Sequence, residues 1–337
     1  MKMVFRSKAP VRISFAGGGT DVSPYCEEHG GCVVSASIDK YAFGSLEVRK
    51  DKEISMDDIR FGSMSAGSIR DLTYDGKLDL LKAVVKHFNP EQGVNLYLRN
   101  AVQPKSGLGS SAAAFVSIIG LFTRWMKEHR ITDYEIAELA YELERVELQN
   151  KGGRQDQYIS VFGGLNYIEF KGDDFVRVNP LRLKKDYVLE LEKNLILAYT
   201  MDRNKSGDVI EDQTKSYLSN KKTVVEALHT TKGIAEEVHY ALRKGDLNRF
   251  GELLDEGWTV KKKFSPLITN KHIDSLYELA RKNGAIGGKI SGAGGGGYMF
   301  FYCEPNKESK VAQKLREAGA TIVDFTFDFE GLQTWIV

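Results

Sequence analysis

Apolar and polar residues alternate along much of the first hundred positions of the chain. A period of two is typical of strands with one buried face, whereas residues 78–88 repeat at the spacing of a helix. The segments that read as strands are 11–15, 33–38, 42–48 and 95–99. The pattern therefore predicts an N-terminal region that is mostly β and contains one helix.

Helical spacing dominates the following part of the chain. Residues 110–127 form an almost continuous apolar helix pattern, entered from a stretch that contains glycine. Residues 132–135 (TDYE) have the spacing of a capping box, in which a hydroxyl and a carboxylate bind free amides at a helix start. This second helix is predicted to end at Gly152-Gly153, because glycine commonly ends helices. Asp156 would then lie in a polar loop.

The C-terminal part mixes helices with a second group of strands. The predicted order is strand 195–200, helices within 207–283, strands 286–290 and 298–303, helix 307–317 and strand 321–327. This order resembles a split βαβ sandwich, with helices on one face of an antiparallel sheet. We predict an α+β protein with two domains, 1–185 and 186–337, since the order of elements changes near 180–195.

Length and charge narrow the classes of function. The 337 residues exceed what one core usually organises, and Lys+Arg at 47 against Asp+Glu at 46 leaves a formal charge of +1. That balance disfavours a nucleic-acid partner. No apolar stretch suits a membrane span, and the charged N-terminus indicates no export signal. The three cysteines form no CxxC pair, which favours reduced thiols in a cytoplasmic protein. The sequence leaves the oligomeric state open, with a homodimer as one possibility.

A glycine-containing loop precedes the helix predicted over 110–127. Its residues are Pro104, Lys105, Ser106, Gly107, Leu108, Gly109, Ser110 and Ser111. Such a loop presents free amides and the positive end of the helix dipole at one place, which suits phosphate. The hydroxyls of Ser110 and Ser111 could bind phosphate oxygens or Mg²⁺. On pattern alone, a serine-capped buried helix fits equally well. The loop is not a Walker A motif, and it follows its strand too distantly for a Rossmann motif.

Two other segments are rich in glycine. Gly17-Gly18-Gly19-Thr20-Asp21 follows the first predicted strand and, taken alone, is typical of an ordinary turn. Residues 292–297 (GAGGGG) lie between two predicted strands, so they do not form a Rossmann site. Four consecutive glycines are entropically costly, which favours a close backbone approach over a simple hairpin.

Taken together and in this order, the three segments resemble the motifs of the GHMP kinases. Residues 9–21 (APVRISFAGGGTD) resemble the first motif, 104–113 (PKSGLGSSAA) the phosphate loop and 289–297 the third motif. The form Gly-Gly-Gly-Thr-Asp and the segment 153–158 (GRQDQY) are similar to a sugar-1-kinase branch. The resemblance implies an N-terminal domain similar to ribosomal protein S5 domain 2, with a phosphate loop at 104–114, and a ferredoxin-like C-terminal domain.

The resemblance also implies roles for individual residues. Asp156 would accept the proton of the anomeric hydroxyl, and Arg12 would offset charge at the attacking oxygen. Glu144, with Ser110 or Ser111, would hold Mg²⁺, although helical phase alone favours Glu147. Residues 104–111 would hold ATP. The residues implied to contact the sugar are Gly17, Gly18, Gly19, Thr20, Asp21 and Gly164, and Arg203 with Lys205 are candidates for a phosphate on the sugar.

The implied activity is transfer of a phosphoryl group from ATP to the anomeric hydroxyl of a heptose 7-phosphate, which gives a 1,7-bisphosphate for the synthesis of a nucleotide-activated heptose. A kinase for a free hexose such as fucose is the main alternative. The fold would also accommodate a diphosphomevalonate decarboxylase or a ligand sensor. The sugar-type first motif argues against the decarboxylase, and Asp156, Arg12 and the phosphate loop argue against the sensor.

Overall fold

The computed structural model of the chain describes residues 3–126, 131–172, 175–201 and 206–337, without the side chains of 206–208. Eight strands form the first sheet: β1 Val4–Ala16, β2 Gly31–Val48, β3 Ile54–Asp58, β4 Gly62–Ala66, β5 Val94–Asn100, β6 Leu165–Lys171, β7 Phe175–Pro180 and β12 Gln333–Ile336. A second, four-stranded antiparallel sheet contains β8 Leu195–Met201, β9 Ala285–Ile290, β10 Gly297–Cys303 and β11 Thr321–Val323.

The described helices pack on these sheets or on one another. They are α1 Tyr25–His29, α2 Asp79–Phe88, α3 Ser110–Met126, α4 Asp133–Tyr141, α5 Gln155–Phe162, α6 Lys185–Asn194, α7 Ser206–Leu218, α8 Lys222–Lys244, α9 Leu247–Lys261, α10 Lys271–Asn283 and α11 Glu308–Glu317. A 3-10 turn spans Ile69–Asp71 and a π-helical turn spans Glu142–Glu147. None of these described helices combines the length and apolar character that a bilayer span requires.

The first sheet is organised around the long strand β2. The sequence predicted two separate strands at 33–38 and 42–48, but β2 runs through both. Its first half pairs with β6 and its second half with β5, while β1 lies along its other edge. The half-buried Asp39, Lys40 and Tyr41 mark the change of partner and explain the break in the apolar pattern.

Helix α3 is the central helix of this region. It packs against β1, β2 and α5, and every residue from Ala112 to Phe122 is buried. A helix that is apolar on all sides must be enclosed by neighbours, as the sequence indicated. The predicted capping box is confirmed, because the Thr132 hydroxyl accepts from the Glu135 amide and the Glu135 carboxylate accepts from the Thr132 amide.

The second sheet has the strand order β11-β8-β10-β9, with all pairs antiparallel. Helix α9 packs on β9, and α11 packs on β8 and β11, which agrees with the split βαβ pattern predicted from the order of elements. The last strand, β12, returns to pair with β1 of the first sheet. The division into 1–185 and 186–337 stays a prediction, and it would assign β12 to the C-terminal part although β12 pairs with β1 of the first sheet.

Candidate active site

A cavity of about 810 Å³ lies where the three glycine-rich segments meet. Its wall includes Gly18 and Gly19 of the first segment, most of residues 104–111, and Gly292 and Ala293 of the third. Asp156 and Arg12 also line it. The fold therefore brings together parts of the chain that are far apart in sequence.

The loop before α3 owes its shape to two glycines in the left-handed region. Gly107 has φ +87° and Gly109 has φ +73°, and α3 begins immediately afterwards at Ser110. The amides of a first helical turn have no partner within the helix and can bind an anion. Within the described chain, the buried Ser106 hydroxyl also lacks a hydrogen-bond partner, although Ser106 lines the cavity. These donors suit phosphate oxygens.

The third glycine segment supports this loop from behind. The Tyr298 amide donates to the Ser106 carbonyl at 3.0 Å. A Cβ on Gly292 would lie 2.8 Å from the Gly107 carbonyl oxygen. A Cβ on Gly297 would overlap the carbonyl oxygen of Ser106. Side chains are therefore excluded at Gly292 and Gly297, because the backbone of the third glycine segment packs directly against the backbone of the loop.

Arg12 links Asp156 to the loop. The Arg12 Nε donates to Asp156 Oδ1 at 2.8 Å, and Nη2 lies 2.5 Å from the same oxygen. The Arg12 Nη1 donates to the Gly107 carbonyl at 2.5 Å. A Cβ built on Gly109 would lie 3.3 Å from the Asp156 carboxyl carbon, so the carboxylate rests against the phosphate loop.

The sequence placed Asp156 in a loop, and this was wrong. Asp156 lies in the first turn of α5, where the helix dipole favours a negative charge. Helix α5 escaped detection because part of its buried face is polar. Gln155 bonds to Ser35 and Asp21, while Gln157 donates to Glu144. A pattern of apolar residues does not reveal a helix whose buried face carries amide side chains.

Glu144 and Glu147 differ in their exposure to solvent. Glu144 is 2% exposed, lines the cavity and accepts a hydrogen bond from Gln157 at 2.7 Å. Glu147 also lines the cavity, but it is exposed and accepts from the Tyr74 hydroxyl. Helical phase had placed Glu147 near the centre of the apolar face, which the structure corrects. The π-helical turn Glu142–Glu147 has more residues per turn than an α-helix and shifts that phase.

Arg145 is a cavity residue that the sequence did not single out. Its Nη1 lies 3.5 Å from Glu144 Oε1, and its Nη2 lies 4.0 Å from Asp156 Oδ2. A Cβ on Gly152 would overlap its guanidinium, so Gly152 makes room for it. Glu144 and Arg145 both lie in the π-helical turn and both line the cavity. Nothing in the sequence signalled that turn.

The first glycine segment reaches the cavity only in part. Thr20 was implied to contact the sugar, but its buried hydroxyl donates to the carbonyls of Gly17 and Cys32 and accepts from the Cys32 amide. Thr20 therefore fixes the turn and does not face the cavity. Gly17 packs against the Cys32 backbone, and Gly164 bonds to Ser37 and Asp328. Neither of these glycines lines the cavity, and neither does Leu108.

Asp21 does line the cavity, although it is buried. Its Oδ1 accepts from the Gly19 amide, and its Oδ2 accepts from both the amide and the side chain of Gln155. Asp21 therefore connects the first glycine segment to the start of α5. Its contact with a sugar hydroxyl stays a prediction. Arg203 and Lys205 lie outside the described residues.

The oxygen groups beside the loop are compatible with a magnesium ion held mainly by a nucleotide. No group of three or more His, Cys, Asp or Glu side chains forms a metal cluster in the part of the chain that the structure describes. Mg²⁺ is often bound through one or two carboxylates together with phosphate oxygens. Glu144 and the hydroxyls of Ser110 and Ser111, all on the cavity wall, provide such a partial set.

Family models and known proteins match most of this chain. The model of the GHMP kinases N terminal domain matches residues 78–164, and that of the GHMP kinases C terminal domain matches 238–321. The chain is 37% identical over 336 residues to the D-glycero-alpha-D-manno-heptose 7-phosphate kinase of Campylobacter jejuni, with 98% of each protein covered. L-fucokinase/L-fucose-1-P guanylyltransferase of Bacteroides fragilis is 26% identical over 97% of this chain and 38% of that protein.

Solved structures give the same result. The crystal structure of a D-glycero-D-manno-heptose 1-phosphate kinase from Bacteroides thetaiotaomicron has a TM-score of 0.83 and 34% identity, with 98% of both chains covered. Galactokinase of Lactococcus lactis, at 19% identity and a TM-score of 0.77, shows the shared fold alone. The family models together match more than half of the chain, and the relatives are similar along its whole length. The chain therefore belongs to the GHMP kinases and has the α+β fold of that family.

Proposed function

We propose that this protein transfers the γ-phosphoryl group of ATP to the anomeric hydroxyl of D-glycero-α-D-manno-heptose 7-phosphate. The product would be the 1,7-bisphosphate, an intermediate for a nucleotide-activated heptose. The observation that carries the proposal is the contact of Asp156 and Arg12 with the phosphate loop at the mouth of α3. The relatives named for heptose phosphates support the choice of sugar, because they are more similar than the fucokinases.

Asp156 is the proposed general base. Its carboxylate would take the proton of the sugar O1 as that oxygen attacks the γ-phosphorus, and the bond from phosphorus to the bridging oxygen of ADP would break in line. Arg12 holds the carboxylate from one side and the Gly107 carbonyl from the other. This bridge fixes the distance between base and phosphate loop, and such positioning is a large part of catalysis in phosphoryl transfer.

The cavity wall also neutralises charge. We assign the amides and hydroxyls of residues 106–111 to the ATP phosphates. Glu144, Ser110 and Ser111 are the groups that would hold Mg²⁺, which offsets negative charge on the β- and γ-phosphates. Arg145, between Glu144 and Asp156, adds a fixed positive charge on the same wall.

We place the activity in the cytoplasm. Cys26, Cys32 and Cys303 are free and buried, and burial raises the pKa of each thiol, to about 12 for Cys26. Such thiols are packing residues that suit a reducing compartment supplied with ATP.

A coupled assay for ADP release with a set of acceptors tests the proposed function. We expect turnover with heptose 7-phosphate, a new anomeric phosphate signal in phosphorus NMR, and little turnover with L-fucose. The heptose 1-phosphate is a necessary comparison, because the Bacteroides relative is named for it. A preference for that acceptor, or for the free sugar, would contradict phosphorylation at O1 of the 7-phosphate.

Replacing Glu144 by glutamine should raise the Mg²⁺ concentration for half-maximal activity by about tenfold or more, because a carboxylate near the metal is replaced by a neutral amide. The matched control is Glu142→Gln, because Glu142 is an exposed carboxylate in the same π-helical turn and does not line the cavity. Magnesium titrations of kcat/KM for the two variants provide the measurement. Equal Mg²⁺ dependence in Glu144→Gln and the wild type would remove Glu144 from the proposed ligand set.

A further inference from the structure

Ser14 carries a buried hydroxyl on the wall of the cavity. The residue is 2% exposed, and its Oγ has no hydrogen-bond partner among the described residues. Most buried polar atoms in folded proteins form at least one hydrogen bond, because a buried hydroxyl without a partner costs free energy. An unsatisfied hydroxyl on a cavity wall therefore points to a polar group of a ligand.

The neighbouring serines on the same face of the first sheet do have partners. Ser14 of β1 pairs in register with Ser35 of β2, and Arg12 pairs with Ser37. Alternate residues of a strand share one face of the sheet, so these four side chains lie on the same side. The Ser35 hydroxyl donates to a side chain of α5, and the Ser37 hydroxyl donates to a backbone carbonyl of α5. The serine that lines the cavity is thus the one left unsatisfied.

Gly18 leaves a gap in front of Ser14. A Cβ at residue 18 would lie 3.3 Å from Ser14 Oγ and 3.5 Å from Gln155 Nε2, and Gly18 itself lines the cavity. Gly17 (φ +83°) and Gly19 (φ +107°) have left-handed backbones that favour glycine, whereas Gly18 does not. At residue 18 the missing side chain therefore matters for space, because any side chain there would cover the Ser14 hydroxyl.

This gap lies beside the proposed general base. Gln155, whose side chain borders the gap, directly precedes Asp156 in the first turn of α5. Arg12, which donates to Asp156, is two residues before Ser14 on the same face of β1, which corresponds to about 7 Å along the strand. One sugar ring with its hydroxyls can span such a separation. An acceptor whose anomeric hydroxyl lies at Asp156 can therefore place another ring hydroxyl at Ser14.

We propose that Ser14 binds a ring hydroxyl of the acceptor sugar through the gap that Gly18 leaves, and that this contact selects sugars that carry the hydroxyl. The inference rests on the proposed function and adds a specificity-determining residue to it. A serine hydroxyl both donates and accepts hydrogen bonds, as a sugar hydroxyl does, so the two can pair in either direction. A deoxy sugar would leave the buried serine unsatisfied, and a site of this kind discriminates against such analogues.

The test compares Ser14→Ala with Ser37→Ala in the full-length enzyme. Both variants lose a buried hydroxyl from the same face of the sheet, but Ser37 does not line the cavity. In Ser14→Ala we expect kcat/KM for heptose 7-phosphate to fall about 5- to 10-fold, with the KM for ATP changed by less than about threefold. Its Tm should not fall, because an unsatisfied hydroxyl is removed. Ser37→Ala should show the reverse, with a lower Tm and an unchanged kcat/KM.

Analogues of heptose 7-phosphate that lack one ring hydroxyl at a time identify the partner of Ser14. One of them should lose about 5- to 10-fold in kcat/KM with the wild type and nothing further with Ser14→Ala, because the same hydrogen bond is already absent. Gly18→Ala, which covers the serine, should lower kcat/KM for the complete sugar at least as much as Ser14→Ala does.

The outcomes separate this contact from the proposed function. An unchanged kcat/KM in Ser14→Ala, a loss of folding in that variant, or independent losses for every deoxy analogue would overturn the role of Ser14 and leave the kinase activity intact. No turnover of any sugar phosphate by the wild type would instead overturn the proposed function, and the role of Ser14 with it.

Discussion

Replacing Asp156 by asparagine is expected to lower kcat about 1,000-fold while the KM for ATP changes by less than about threefold. Asparagine has the same shape, and its Oδ1 can still accept the hydrogen bonds that Arg12 donates to Asp156. The cavity wall should therefore persist while the proton acceptor is lost. Steady-state kinetics with saturating sugar phosphate, together with nucleotide binding measured by calorimetry, separate these two effects.

The control for this variant is Asp133→Asn. Asp133 is an exposed carboxylate in the first turn of α4, as Asp156 is in the first turn of α5, so both variants lose a similar interaction with a helix dipole. Asp133→Asn should retain full activity. If Asp156→Asn kept more than about a tenth of wild-type kcat, proton transfer to this carboxylate would not be part of the rate-determining chemistry.

Replacing Gly297 by alanine should lower kcat/KM for ATP about 100-fold, because displacement of a reacting group by about 1 Å can have an effect of this size. The new Cβ would overlap the Ser106 carbonyl, so the phosphate loop or β10 must move. The hydrogen bond from the Tyr298 amide to Ser106 would be distorted as well. The measurement is kcat/KM for ATP, with the KM for the sugar phosphate determined in parallel.

Gly319→Ala isolates the steric effect from backbone strain. Gly319 has φ +92° and Gly297 has φ +86°, so alanine is strained at both positions. A Cβ on Gly319 would meet nothing within 4 Å among the described atoms. Both variants should lose stability in thermal unfolding, but only Gly297→Ala should lose affinity for ATP. Equal kinetics in the two variants would show that the third glycine segment does not shape the loop.

The polar groups of the site show why sequence patterns lead to some residues and miss others. The loop of residues 104–111 was predictable, because glycines before an apolar helix leave a local signal. Arg12 left no such signal in the apolar pattern, since a strand arginine between Val11 and Ile13 is typical of an exposed face, and only the resemblance of residues 9–21 to a family motif indicated it. In the structure it is 3% exposed, because that face of β1 is turned toward Asp156 and Gly107.

The amino-acid sequence by itself determined the strands around β1 and β2, the buried helix α3, the capping box of α4 and the three glycine segments, because each depends on neighbours within a few residues. Only the tertiary structure decided that α5 is a helix, and that Glu144 is buried while Glu147 is exposed. These features depend on polar contacts between distant segments and on a π-helical turn. A periodic pattern of apolar residues does not record such contacts.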